Sequence, residues 1–187
     1  MHLLPFLCLL AFSLSATSSH AAAAPGQQTC SSPASIEDAC KFVSERKMTV
    51  GYDFCLSSLK KATKSMHSTD PHDLAEAATK LAIAHAMSTE NKIDELMDLE
   101  TDAKDKACFS ECLDVYTDAV ERMRDALDNI STRVYGKATM QLEGAVNAGA
   151  KCEAAFAGSK GSSPLVTMDQ EYSQLANIAL GILMSLE

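Results

Sequence analysis

The stretch from Cys112 to Cys152 alternates apolar and polar positions with a helical period. In CLDVYTDAVERMRDALDNI, the residues Cys112, Tyr116, Ala119, Val120, Met123, Leu127 and Ile130 fall on one face. After the break Ser131-Thr-Arg133, the residues Leu142, Ala145, Val146, Gly149, Cys152 and Phe156 do the same. Several of these are small enough to let helices approach closely. The midpoint between the two cysteines is Thr132, inside the break. Two helices folded back there place Cys112 and Cys152 face to face. A disulfide needs Cα atoms within about 7 Å, and antiparallel helices about 8–10 Å apart between axes supply that. The pattern therefore predicts a helical hairpin stapled by Cys112–Cys152.

The same period runs through the rest of the chain. Ser35-Ile-Glu-Asp38 has the form of a capping box, with Asp in place of the usual Glu or Gln. A short helix is expected from there to about residue 46, then a turn over 47–51. A second short helix carries Tyr52-Asp-Phe-Cys55-Leu-Ser-Ser-Leu59. Cys40 and Cys55 straddle the turn, so a Cys40–Cys55 bridge is expected to staple an N-terminal hairpin. A crosslink of that span is worth about 3 kcal/mol.

Asp70-Pro71 supplies an N-cap and a first-turn proline. The first long helix is expected over 71–100, with Leu74, Ala78, Leu81, Ala84, Met87, Ile93, Leu96 and Met97 facing inward. The second long helix contains Cys108 and Cys112. The third covers about 134–157. Residues 158–164 form a Gly/Ser-rich loop. Thr167-Met-Asp-Gln170 caps the last helix, whose Tyr172, Leu175, Ile178, Ala179, Ile182 and Leu186 point inward. The expected fold is all-α: an antiparallel four-helix bundle with an N-terminal helical hairpin, spanning residues 35–187.

Residues 1–24 read as a secretory signal peptide. Leu3 to Leu14 is a short apolar run, and Ala21–Ala24 supplies an Ala-x-Ala cleavage site. Residues 25–34 are a loose lead-in. No later stretch is long and apolar enough to anchor in a membrane, so the expected product is exported. Export places Cys30, Cys40, Cys55, Cys108, Cys112 and Cys152 in an oxidising compartment. With two bridges assigned, Cys30 and Cys108 either clip together or stay as two free thiols.

Composition adds one restriction. The chain carries 16 basic and 25 acidic residues, a formal charge of −9, and no Trp. Such a chain suits neither a nucleic-acid backbone nor an anionic membrane surface.

Catalytic signals are missing. His67 and His72 flank the Asp70-Pro71 turn and read as a solvated linker, because a metal site needs more ligands at fixed geometry. His85 reads as a packing residue. There is no G-x-S-x-G elbow, no phosphate-loop spacing in GSKGSS, no zinc-site spacing and no C-x-x-C pair. No cofactor and no metal is expected, and the chain is not expected to be an enzyme. Asp114, Asp118, Glu121 and Asp125 form an acidic stripe opposite the apolar face of the second long helix. A solvated surface is the plain reading of that stripe, and a docking face for a basic partner is the alternative. Asn129-Ile-Ser131 is a glycosylation sequon. A small, stapled, exported bundle without a catalytic site is expected to bind something. The three classes are an inhibitor of an extracellular enzyme, a carrier of an apolar ligand, and a secreted signal.

Three segments carry a resemblance. They are Cys40 through Tyr52-Asp-Phe-Cys55; Cys112-Leu-x-x-Tyr116-x-Asp118-Ala119; and Cys152-Glu-x-x-Phe156 with the Ser163-Pro164-Leu165 loop and last helix. Together they resemble the plant invertase and pectin methylesterase inhibitors, over about residues 35–186. The resemblance implies a four-helix bundle with an N-terminal hairpin, and the bridges Cys40–Cys55 and Cys112–Cys152. It also implies one-to-one inhibition of a target enzyme in the apoplast. Invertase inhibitors of this kind carry Pro-Lys-Phe at the start of the third long helix. The matching positions read Tyr135-Gly136-Lys137-Ala138, which keeps the lysine and lacks Pro and Phe. Pectin methylesterase inhibitors lay bundle helices across the enzyme's pectin groove. The corresponding positions include Asp114, Thr117, Asp118 and Glu121. The resemblance thus favours pectin methylesterase as partner, with acid invertase as the alternative.

Overall fold

The computed structural model describes residues 35–46, 48–66, 70–158 and 163–187. The signal segment, the lead-in, Cys30 and His67 lie outside the described residues. Within them the chain is helical and has no strand. In order the helices are α1 (Ile36–Glu45), α2 (Tyr52–Ala62), α3 (Pro71–Leu99), α4 (Ala103–Ser131), α5 (Tyr135–Ala145), α6 (Ala148–Ala155) and α7 (Val166–Leu183), with a 3₁₀ turn at Phe156–Gly158.

The helix starts follow from local chemistry. Ser35 Oγ accepts the Asp38 N–H at 3.1 Å and donates to Asp38 Oδ2 at 2.8 Å. This is half a capping box, because the aspartate is too short to reach the Ser35 N–H and bonds the hydroxyl instead. Asp70 Oδ1 accepts from Asp73 N at 2.9 Å, with Pro71 at the first helical position. Helix α4 ends in a Schellman turn. The Val134 N–H returns to Asn129 O, and the Arg133 N–H to Ile130 O, both at 2.8 Å. Arg133 sits in the left-handed region that glycine usually fills, at φ 59°.

Four rods form the bundle: α3, α4, α5 with α6, and α7. Helix α4 packs along α3 and along both halves of the third rod, while α7 packs against α3, α5, α6 and α1. The bridges Cys40–Cys55 and Cys112–Cys152 are both present, with Cα separations of 5.6 and 4.5 Å. One joins α1 to α2; the other joins α4 to α6. The interior is filled by Tyr116, Tyr172, Met123, Leu142, Ile178 and Ile182, all fully buried. The rings of Tyr116 and Tyr172 meet edge to face at 5.1 Å.

Three expectations need correction. The third long helix is not continuous but breaks between Ala145 and Ala148. On α3 the inward line is Leu74, Ala75, Ala78, Ala82, Ala86, Thr89 and Ile93, whereas Ala84 and Met87 are exposed. A line of small residues lets the neighbouring rods lie close. Thr79 and Thr89 tolerate burial because their hydroxyls donate to the carbonyls of Ala75 and His85. The last helix starts at Val166 with no side-chain cap, and Leu165 holds the cap position. Asp169, expected in a capping role, is buried instead. Cys108 is a buried free cysteine among the described residues, and its candidate partner Cys30 lies outside them. The Cys108 thiol points inward, 3.2 Å from the Ala155 carbonyl that accepts from it.

Candidate docking face

Helix α4 presents its polar side away from the core. At 100° per residue, Asp114, Glu121 and Asp125 lie along the middle of that side. Thr117 leans towards α3, and Asp118 towards the third rod. Asp114, Thr117, Asp118, Glu121 and Asp125 are all exposed. The flanks are tied to neighbours. Thr117 Oγ1 donates to Glu90 Oε1 of α3 at 2.9 Å. Arg122 Nε donates to Asp118 Oδ2 at 2.8 Å, one helical turn on. That contact is the main reason the Arg122 guanidinium is held even more firmly protonated than usual. The Arg122 side chain lies across Gly144 of α5, where an added Cβ would come within 2.9 Å of it. Arg124 reaches Met87 Sδ on the α3 side at 3.6 Å.

The result is a convex strip of carboxylates edged by two arginines. Asp114, Thr117, Asp118 and Glu121 come together in it. Lys137 does not join them. It is exposed in the first turn of α5, past the end of α4, whose last residue lies about 25 Å along the axis from Asp114. Glu90 belongs to the strip and was invisible in the sequence, since it reaches Thr117 from another rod. Asn129 lies half-exposed on α4, and its side-chain nitrogen donates to Asp125 O at 2.7 Å.

The two described histidines, His72 and His85, make separate contacts. Among the described residues, no group of three or more His, Cys, Asp or Glu side chains is placed to hold a metal ion. His72 is half-buried rather than solvated. Its Nδ1 is 3.1 Å from the Tyr135 hydroxyl, and its Nε2 is 3.5 Å from Glu76. His85 packs against α7, donating from Nε2 to the Met168 carbonyl at 3.0 Å. Among the described residues, no helix is long and apolar enough to cross a membrane.

Known proteins resemble this arrangement. The family model described as plant invertase/pectin methylesterase inhibitor matches residues 34–182. Proteins from Platanus acerifolia and Platanus orientalis, each described as a putative invertase inhibitor, are 30% identical over 148 residues. The match covers 79% of this chain, and 82% and 86% of theirs. A mutant form of a pectin methylesterase inhibitor from Arabidopsis superposes with a TM-score of 0.65 at 20% identity, over 77% of this chain and 95% of that one. A pectin methylesterase inhibitor from Arabidopsis thaliana gives 0.61 at 19%, over 80% and 96%. At those identities the structures bear on the fold alone.

Proposed function

The chain belongs to the plant invertase/pectin methylesterase inhibitor family, a family of inhibitor proteins, and on that premise we propose that it inhibits a plant pectin methylesterase. The bundle lays α4 across the enzyme's substrate groove and blocks access of the polysaccharide, so modulating pectin methylesterification in the cell wall. The observation that carries this reading is the exposed strip Asp114, Thr117, Asp118 and Glu121 on a convex helix. A convex face without a cleft suits insertion into another molecule's groove better than catalysis. The carboxylates steer association towards a basic enzyme. Docking is one to one, the signal segment is removed, and the protein acts in the apoplast. Residual activity of purified pectin methylesterase, with and without the oxidised protein, tests it.

A second reading has its own support. The two Platanus relatives are described as putative invertase inhibitors, and Lys137 stands exposed in the first turn of α5. On this reading the α4–α5 turn meets an acid invertase, and the same assay with sucrose as substrate separates the two. An apolar-ligand carrier is disfavoured, because buried tyrosines and branched side chains fill the bundle interior.

A further inference from the structure

A set of acids that the docking face does not use lies between α4, α6 and α7. Asp169, in the first turn of α7, is only 2% exposed. Tyr116 of α4 donates its hydroxyl hydrogen to Asp169 Oδ1 at 2.5 Å. The other oxygen, Asp169 Oδ2, is buried without a hydrogen-bond partner, and so is Glu153 Oε1 of α6. Glu153 and Asp169 line the same hollow beside α6 and α7.

An ionised carboxylate with an orphan buried oxygen is costly. Two such oxygens on neighbouring acids satisfy each other when one proton lies between them, since a protonated carboxyl donates and its partner accepts. The remaining groups around the pair do not offer a counter-charge. Tyr172, on α7, packs against Tyr116 and donates to Ala145 O. Burial, and after it the negative charge of Asp118 on α4, keep Tyr172 in its neutral form. His85 of α3 is engaged by the Met168 carbonyl next to Asp169. Among the described residues, no lysine or arginine forms an ion pair with Asp169 or Glu153. The hollow of about 450 Å³, lined by Gly149, Glu153, Asp169 and Gln170 among others, adjoins the pair.

We propose that Asp169 and Glu153 share one proton, and that this pair is a pH-operated clasp joining α4, α6 and α7. It is closed in acid and opens as the medium becomes alkaline, when two buried negative charges face each other. Burial, reinforced by Glu153, pushes the Asp169 carboxyl up to about 8 from its ordinary 3.8. The hydrogen bond from Tyr116 acts in the opposite direction. The folded pKa is therefore raised above the unfolded one. The stabilisation is complete below about 3.8 and is lost as pH rises through about 8.

Thermal unfolding of the full oxidised chain between about pH 4.5 and pH 8.5 reads the clasp. The wild type should melt several degrees lower at the alkaline end. Part of any such shift comes from the formal charge of −9, whose self-repulsion acid relieves. The deciding quantity is the comparison with variants. Asp169→Asn keeps the shape, accepts from Tyr116 and donates to Glu153 without titrating. Glu153→Gln removes the other acid. Asp169→Asn should lose at least half of the pH-dependent shift and Glu153→Gln a measurable part of it, while Asp114→Asn on the exposed face keeps all of it. If both core variants retain the wild-type shift, the proposal is wrong. Carbon-detected NMR titration of the Asp169 carboxyl in the wild type decides the matter even if a variant fails to fold. A midpoint well above the ordinary carboxylate range supports the shared proton, and one near about 4 overturns it.

Discussion

Tyr172 donates its hydroxyl hydrogen to the main-chain carbonyl of Ala145 across 2.8 Å, where the third rod of the bundle breaks. In an unbroken helix the amide four residues on would occupy that carbonyl. The tyrosine takes its place, so α5 can end at Ala145 and α6 restart at Ala148 without an orphan acceptor in the core. Tyr172→Phe keeps the ring packing and leaves the carbonyl unpaired. It should lower stability by about 1–3 kcal/mol, read from the denaturant midpoint. An unchanged midpoint would show that the break does not depend on the hydroxyl.

The restarted helix presses directly on α7. A Cβ built on Gly149 would lie 2.6 Å from the main-chain oxygen of Asp169, and backbone cannot swing aside as a flexible side chain can. Gly149→Ala should cost about 1–3 kcal/mol or more by overpacking. Gly136→Ala is the contrast, because the nearest atom there is Glu187 Oε1 at 3.9 Å. That change should be neutral or gain about 0.5–1 kcal/mol through helix propensity. Paired thermal melts of the two variants check both signs.

The crosslinks close loops of different length, with separations of 15 and 40 residues. Chain-entropy reasoning gives about 3 kcal/mol for the shorter and about 4 kcal/mol for the longer. The double variant Cys112→Ala/Cys152→Ala should therefore lose more stability than Cys40→Ala/Cys55→Ala. Equilibrium unfolding of both under non-reducing conditions tests the order.

Most of this architecture was legible because it is local. Helix spans follow from the apolar period, and Ser35, Asp70 and Pro71 mark their starts. What was not legible depends on partners distant in sequence. The inward line of α3 runs largely through alanines and leaves out Ala84 and Met87, because packing against α4 and α7 decides which face is buried. The break after Ala145 is set by Tyr172, which comes 27 residues later in the chain. Asp169 looked like a cap because its role depends on Tyr116 and Glu153. On the docking face, exposure of Asp114, Asp118 and Glu121 follows from helical period, and the Asp118–Arg122 pair from spacing. Glu90 could not be read, since it arrives from α3.

The exposed strip makes its own prediction. Asp114→Lys, Asp118→Lys and Glu121→Lys together change three negative charges to positive without touching the core. Association with a basic target should slow by about tenfold or more at low salt, and the difference should shrink as ionic strength rises. Circular dichroism should show the bundle intact. Unchanged association kinetics in a surface-binding experiment would remove α4 as the docking face.

The central claim is that this chain blocks an enzyme by occupying its substrate groove, and one titration tests it most directly. Purified oxidised protein is added in increasing amounts to plant pectin methylesterase and, separately, to acid invertase, and residual activity is measured. The account predicts that pectin methylesterase activity falls and levels off at one inhibitor per enzyme, with the inhibition competitive towards pectin. Full activity of both enzymes at a large excess of the protein would contradict it.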